Sequence, residues 1–315
     1  MLSFPFSLCY DTAMPKANKS NFKAGAFSVA IGSVFLGSVG IFVRYAGRGI
    51  QPMTQSFGRI FVAFLLISAL NMAQRKLKKE TFQVSKKDLG LFALNGFIGF
   101  SVMASAFTLS VLYTNISITY FLLYTAPVFA AIFSAIFLKE KIRRYIIVSI
   151  AISIAGLVFL FNPTSLGSNL LGNLFGLITG ISFGAYFVMT GYLGKKYTSA
   201  TITFWTELFG SIGFIPLIFI FDKGSSSLNL TAWLPVIAAG FIVLCGYYLL
   251  NHGLTKISPS AGSILSLFEP LSAVVYGLVF FAEIPTVYVL IGAVFILLSI
   301  INLTYGQSKQ PEIAK

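Results

Sequence analysis

Charged residues, histidine and cysteine are all scarce in this chain of 315 residues. Only 10% of the residues are charged, whereas soluble proteins carry roughly 25%. So few charges cannot cover a globular surface, which excludes a soluble enzyme. One histidine, His252, and two cysteines, Cys9 and Cys245, exclude a disulfide framework and a histidine–cysteine metal site. We therefore expect no metal and no cofactor.

What the chain has instead is apolar residues, which make up 57% of it. From Ala24 onward they form segments of about 20 residues, each long enough as a helix to cross a hydrocarbon core of ~30 Å. The sequence predicts an all-α membrane protein with ten transmembrane helices and the lipid bilayer as its surroundings. The predicted spans are 24–46, 54–73, 89–111, 116–138, 145–161, 170–190, 200–221, 232–252, 260–281 and 286–305.

The basic residues predict the orientation of these spans. With a cytoplasmic N-terminus, 18 of the 22 Lys and Arg residues fall in cytoplasmic segments, six of them in the connector 74–88. The basic residues behind the net charge of +13 are thus distributed as expected from membrane topology. We therefore expect no nucleic-acid partner. Segments 1–23 and 306–315 are predicted to be cytoplasmic, in the plasma (inner) membrane of a prokaryote.

The two halves of the chain resemble each other. Pro127 is followed thirteen residues later by Glu140, and Pro270 by Glu283, which places the two pairs 143 residues apart. Nearer the start of each half, an offset of 147 aligns further matches, such as Gly37 with Gly184. We predict two five-helix repeats, 24–161 and 170–305. Because five is odd, the second repeat enters the membrane inverted, and a substrate site is expected near the midplane.

Two segments carry a resemblance to a known family. They are TAPVFAAIFSAIFLKEK at 125–141 and FEPLSAVVYGLVFFAE at 268–283, each combining a proline-containing helix with a glutamate thirteen residues on. At matched places in ten helices, they resemble the EamA family of the drug/metabolite transporter superfamily. The resemblance covers about residues 24–305 and implies a carrier of small organic solutes, such as amino acids, without catalytic residues. Glu207 does not match the family pattern.

Charged side chains inside the predicted spans are candidates for the solute site, because charge at membrane depth is costly. Arg59 either snorkels to the headgroups or receives a substrate carboxylate through paired hydrogen bonds. Glu207 either makes a buried structural hydrogen bond or takes part in function. Glu269, directly before Pro270, either caps a helix that restarts there or binds a proton or an amine.

Aromatic side chains near the two prolines are further candidates for substrate binding. A tyrosine offers both an apolar face and a hydroxyl, which suits an organic solute. Each residue taken alone is more often a packing residue than a ligand contact. The candidates are Tyr120, Tyr124, Tyr186, Trp205 and Tyr247.

A ladder of four glycines runs along the sixth predicted span at four-residue spacing. Small residues at this spacing let helix backbones approach closely. We expect a close helix contact along Gly172, Gly176, Gly180 and Gly184.

These features favour a secondary carrier of small organic metabolites that works by alternating access, in efflux or exchange, with the proton as a candidate coupling ion. The sequence lacks a phosphate-binding Gly–Lys loop, which argues against direct use of ATP. The alternatives are an intramembrane enzyme acting on a lipid or peptide, which needs a cluster of catalytic polar groups, and a channel, which needs a continuous polar stripe. The carrier is expected to be a monomer or a homodimer.

The topology is tested by cysteine labelling in intact cells. We expect a membrane-impermeant thiol reagent to label a cysteine at position 227 from outside and one within 76–87 only from the cytoplasm. Labelling of position 227 from the cytoplasm alone would contradict the predicted orientation.

Overall fold

A computed structural model describes residues 19–46, 49–75, 82–163 and 169–309. Over these ranges the chain forms helices and no strand, and ten helical stretches are long and apolar enough to cross a membrane. Each coincides with one predicted span, so the all-α prediction and the ten spans are confirmed. Cys9, Arg48 and the connector residues 76–81 lie outside the described residues.

Seven spans are single helices, and three are divided into two or three helical segments. The single helices are α1 Lys19–Ala46, α2 Pro52–Arg75, α7 Arg144–Phe161, α8 Leu170–Leu193, α9 Ser199–Phe221, α10 Leu230–Leu254 and α13 Val287–Ser308. The broken spans are the third (α3 Lys86–Gly96, a π-helical segment Phe97–Val102, and α4 Met103–Tyr113), the fourth (α5 Ile116–Leu123 and α6 Ala126–Phe137) and the ninth (α11 Pro259–Leu265 and α12 Phe268–Phe281).

The breaks in the fourth and ninth spans follow from proline. Pro127 is the second residue of α6, and Pro270 is the third residue of α12. Proline lacks an N–H and disrupts a helix interior, but the first turn of a helix needs no such donor. Each span therefore stops before its proline and restarts at it, near the middle of the membrane.

Helices α6 and α12 also end in the same way. Lys139 and Ala282 both take a left-handed conformation with φ of 53°. The next N–H, of Glu140 or Glu283, donates to a carbonyl six residues back at 3.1 Å in both cases. This bond spans one residue more than the 6→1 bond of a Schellman cap. Both pairs of residues are 143 apart, the offset that the sequence predicts for the two repeats.

The contact between α7 and α13 shows the same relation. Ser149 Oγ donates to the carbonyl of Ser299 at 3.0 Å, and Ser299 Oγ returns a bond to the carbonyl of Ser149 at 2.7 Å. Farther along the same pair of helices, Gly156 packs directly on Gly292. At the offset of 143, Ser149 of the first repeat corresponds to Gly292 of the second, and Gly156 corresponds to Ser299. The repeat relation therefore maps the Ser149–Ser299 contact onto the Gly156–Gly292 contact. An inverted repeat predicts this exchange.

The glycine ladder of α8 packs closely, as expected. Gly172 faces the end of α4, Gly176 and Gly180 face Leu122 of α5, and Gly184 faces α6. A Cβ atom at Gly184 would lie 2.7 Å from Phe129 Cβ and 2.9 Å from the Ala130 nitrogen. A side chain therefore cannot be added there without moving backbone.

We expect Gly184→Ala to lower the stability of the protein by about 1–3 kcal/mol through overpacking. Gly90→Ala is the matched control, because Gly90 is an exposed helical glycine with no atom within 4 Å of an added Cβ. Thermal unfolding in detergent micelles measures the difference. Equal melting temperatures for the two variants would contradict the packing role of the ladder.

Candidate functional site

A cavity of about 600 Å³ lies between the two halves of the protein. Its walls come from α1, α2, α4, α5, α10 and α12, so both halves contribute. Most of the lining is aliphatic or aromatic, with a few polar groups among them. This combination is typical of sites for small organic ligands.

The cavity opens on one face of the helix bundle. Its mouth includes Val43 near the end of α1, Pro52 at the start of α2, Phe161 at the end of α7 and the segment 283–286 before α13. We call this the outer face, because the predicted topology places all four outside. The described helices thus leave the cavity open on this face.

On the opposite, inner face the helices close over the cavity. Pro259, at the start of α11, packs directly on Gly191 of α8. Ser260 Oγ donates to Glu140 Oε2 at 3.0 Å and so joins the ninth span to the end of the fourth. The bond between Ser260 and Glu140 thus joins the two halves below the cavity.

Two opposite charges line the cavity, Arg59 from α2 and Glu269 from α12. Within the described part of the chain, the ion pairs are Arg44–Glu283 and Lys196–Asp88, and neither involves Arg59 or Glu269. Both residues are half-buried, since the cavity reaches them. The cavity therefore presents a guanidinium and a carboxyl group that are not neutralised by each other.

Tyrosines stand beside both charges. The Tyr124 side chain lines the cavity together with Glu269 and is within electrostatic range of its carboxyl group. Tyr120 stacks on Tyr124, with ring centroids 5.9 Å apart and planes at 11°. Tyr120 and Tyr247 both lie within electrostatic range of Arg59 and Glu269. Three of the five predicted aromatic residues thus line the cavity.

The structure decides against capping as the role of Glu269. The residue at the N-cap of α12 is Leu267, which makes no side-chain cap, and Glu269 lies in the first helical turn. Its carboxyl group faces the cavity instead of the backbone N–H groups. The N-terminus of a helix favours negative charge, so α12 is a suitable support for a carboxylate there.

Three predicted site residues lie outside the cavity. Trp205 donates its indole N–H to the carbonyl of Phe82 at 3.0 Å and so holds the segment before α3 on the inner side. Tyr186 is fully buried and donates to Asn251 Oδ1 at 2.6 Å. Glu207 is fully buried on α9. Helix rotation turns these three side chains toward neighbouring helices, which a search for polar residues near prolines cannot detect.

Other cavity residues escaped the sequence analysis, and Glu283 is the most informative. In the sequence it only marks the end of the repeated segment, yet it lines the mouth and accepts a bond from Arg44 Nη1 at 2.7 Å. The Arg44 guanidinium also lies 4.3 Å from the ring centroid of Phe281. The pair is more than half exposed, so it contributes at most about 1 kcal/mol. Only the packing of α1 on α12 brings these residues together.

Comparison with known proteins identifies the family. The profile of the EamA-like transporter family matches residues 23–162 and again residues 170–305. The chain belongs to the EamA-like transporter family. The two matches also coincide with the two predicted five-helix segments.

Individual relatives of this EamA-like chain are transporters as well. An uncharacterized transporter of Clostridium kluyveri is 31% identical over 81% of this chain and 85% of its own length. One of Archaeoglobus fulgidus is 26% identical over 88% and 95%. The pseudopaline exporter CntI of Pseudomonas aeruginosa is 20% identical over 90% and 96%. A solved crystal structure shares the fold, with a TM-score of 0.77 at 14% identity over 93% of this chain and all of the other.

Fold and family together make the protein an integral membrane transporter of small solutes. The relatives are named for transport, which points away from an enzyme. No group of three or more His, Cys, Asp or Glu that could hold a metal occurs in the described residues.

The outward-open cavity is tested by cysteine accessibility on the two sides of the break in the ninth span. Ala273 lines the cavity, whereas Ser263 is fully buried on the inner side of the break. In a background lacking Cys9 and Cys245, we expect Ala273→Cys to react with an impermeant maleimide added outside and Ser263→Cys not to react. Equal labelling of both would contradict the closed inner side.

Proposed function

We propose that this EamA-family protein is a secondary carrier for small amphoteric organic solutes, meaning amino acids and related compounds that carry both an amine and a carboxylate. The observation that carries the proposal is the pair of opposite charges in one cavity, Arg59 on α2 and Glu269 on α12, with no ion pair between them. We place the carrier in the plasma membrane of a prokaryote with cytoplasmic termini.

The two charges are complementary to such a solute. A guanidinium binds a carboxylate through two parallel hydrogen bonds, and a carboxylate binds an ammonium through a charge-assisted bond. Charges away from bulk water are costly until a partner neutralises them. A solute with both charges neutralises the two protein groups at once, so its binding removes both costs.

The rest of the cavity supports an organic solute over an inorganic ion. Tyr120, Tyr124 and Phe107 form an aromatic wall beside the charges, with the rings of Phe107 and Tyr120 in edge contact at 5.0 Å. An aromatic wall accommodates carbon-bearing side chains, and tyrosine hydroxyls can still bond to polar groups. A volume of about 600 Å³ suits a small metabolite.

The broken helices support alternating access. In inverted-repeat carriers, broken helices frame the substrate site, and the halves rock around it. Here the breaks at Tyr124–Thr125 and Ser266–Leu267 lie beside the cavity, and the closed inner face is made of separable side-chain contacts. Export by the related pseudopaline exporter favours efflux or exchange as the direction for this chain as well.

The two alternatives have less support. A channel would need a path through the inner face, where α11 packs on α6 and α8. An intramembrane enzyme would need a catalytic cluster beside Arg59 and Glu269, and the titratable groups that interact with them in the described residues are tyrosines.

Substitution of each charge should change selectivity for a different group of the solute. We expect Arg59→Gln to weaken binding of the free amino acid about 10- to 100-fold while leaving its carboxamide little affected. Glu269→Gln should weaken the amino acid similarly and leave its N-acetyl form little affected. Counterflow of a labelled amino acid in proteoliposomes, competed with each analogue, measures these effects.

Arg143→Gln is the control for the loss of a guanidinium, because Arg143 does not line the cavity. It should transport like the wild type at matched protein content. If Arg59→Gln and Glu269→Gln discriminate among amino acid, carboxamide and N-acetyl form as the wild type does, the cavity charges do not bind the solute and the proposal fails.

A further inference from the structure

We propose that Glu207 is a proton-binding site, separate from the solute cavity, that couples the inner side of the carrier to the cytoplasmic proton concentration. Glu207 lies on α9 with none of its surface exposed. Neither of its carboxyl oxygens has a hydrogen-bond partner in the described residues. It does not line the cavity that holds Arg59 and Glu269.

The surroundings of Glu207 are polar but uncharged. We call them the inner polar cluster, and its hydrogen bonds connect four helices. Asn95 Nδ2 donates to Thr190 Oγ1 at 3.0 Å and to Thr206 Oγ1 at 3.3 Å, while Asn251 Nδ2 donates to Thr203 Oγ1 at 2.9 Å. The members are Asn95 of α3, Tyr186 and Thr190 of α8, Thr203, Thr206 and Glu207 of α9, and Asn251 of α10.

The cluster is short of hydrogen-bond donors. Asn95 Oδ1 is buried without a partner, like both oxygens of Glu207. A carboxylate supplies only acceptors, whereas a protonated carboxyl group supplies an O–H donor as well. A proton on Glu207 therefore provides what this part of the protein lacks.

The charged and titratable groups on the neighbouring helices do not replace the proton. Among the described residues, those within electrostatic range of Glu207 are two tyrosines, Tyr186 and Tyr247. The described charged side chains and the histidine on these helices face elsewhere: Arg59 of α2 lines the cavity, Lys86, Lys87 and Asp88 lie in the first turn of α3 at the inner face, and His252 of α10 contacts Ser199.

The isolation of Glu207 from charges and hydrogen-bond donors makes its ionised form costly. An ionised carboxylate buried without a cation or donor costs several kcal/mol, and neutralisation by a proton removes most of that cost. A metal ion is a poor alternative, because the described residues contain no group of three acidic, histidine or cysteine ligands. The outward-open arrangement therefore holds Glu207 as the neutral acid.

Glu207 is close to both the cavity and the inner face. Tyr247 lines the cavity and is within electrostatic range of Glu207, and its ring is 5.6 Å from that of Tyr186 in the inner polar cluster. Glu207 is eight residues from the inner end of α9, about 12 Å along the helix axis. Opening of the inner face would let water reach the carboxyl group, which could then release its proton to the cytoplasm.

One consequence rests on the proposed carrier function. Closing the inner face again would bury a carboxylate, so the return to the outward-open arrangement requires a proton taken up from the cytoplasmic side. Transport should then show a dependence on the pH of that side that requires Glu207.

The proton itself can be detected without transport. Infrared spectra of the purified protein should show the carbonyl stretch of a protonated carboxyl group at neutral pH. The band should disappear in Glu207→Gln and remain in Glu140→Gln. A wild-type spectrum without the band, or one that Glu207→Gln leaves unchanged, overturns the assignment. Saturable binding of sodium that requires Glu207 overturns it in favour of a metal cation.

The coupling is tested in oriented proteoliposomes with the pH of each side set independently. Above the midpoint, wild-type exchange should fall about tenfold per unit of cytoplasmic-side pH, as for one required proton. Glu207→Gln, which is neutral at every pH, should transport without this dependence, and Glu207→Asp should restore it with a shifted midpoint. Retention of the wild-type pH dependence in Glu207→Gln overturns the coupling. Loss of solute selectivity in the cavity variants concerns the proposed function alone, because the infrared band does not depend on it.

Discussion

Helices in a bilayer gain little by hiding apolar side chains from one another, because lipid tails are equally apolar. Their association depends instead on close approach of backbones, and the fold of this EamA-family protein relies on glycine for that approach. Gly32 of α1 packs directly on Gly246 of α10, and Gly156 of α7 on Gly292 of α13. The α8 ladder performs the same role against α4, α5 and α6. The positions of all cavity walls follow from these contacts.

The same close packing positions the chemistry of the cavity. Gly37 of α1 lies against the backbone of Glu269 and the side chain of Ser272 on α12, so any larger residue there would push α12 away. Pro270 interrupts the ninth span between α11 and α12. Glu269 therefore lies on the first turn of α12, facing the cavity. In the first repeat the equivalent of Glu269 at an offset of 143 is Ala126, which makes the cavity chemically asymmetric despite the similar helices.

The residues predicted for the site became candidates for different reasons. Arg59 and Glu269 are charges in apolar segments, and lipid tolerates such charges only where they face a cavity or a partner. Glu207 meets neither condition, since it is buried among neighbouring helices and its carboxyl oxygens have no hydrogen-bond partner in the described residues. Tyr186 and Trp205 are candidates by the same aromatic chemistry as Tyr120 but point into packed interfaces, because a few tens of degrees of helix rotation decide what a side chain meets.

Length and hydropathy determined the ten spans, because a helix that crosses lipid must be about 20 apolar residues long and must satisfy its own backbone. Local chemistry likewise determined the breaks at Pro127 and Pro270, because proline lacks an N–H. It also determined the ladder of α8, because glycine lacks a side chain. Only the tertiary structure decided which charges share the cavity, that Glu283 meets Arg44 at its mouth, and that the inner face is closed. Those facts depend on the rotation and tilt of helices distant in sequence, which are set by many small contacts summed over the whole bundle.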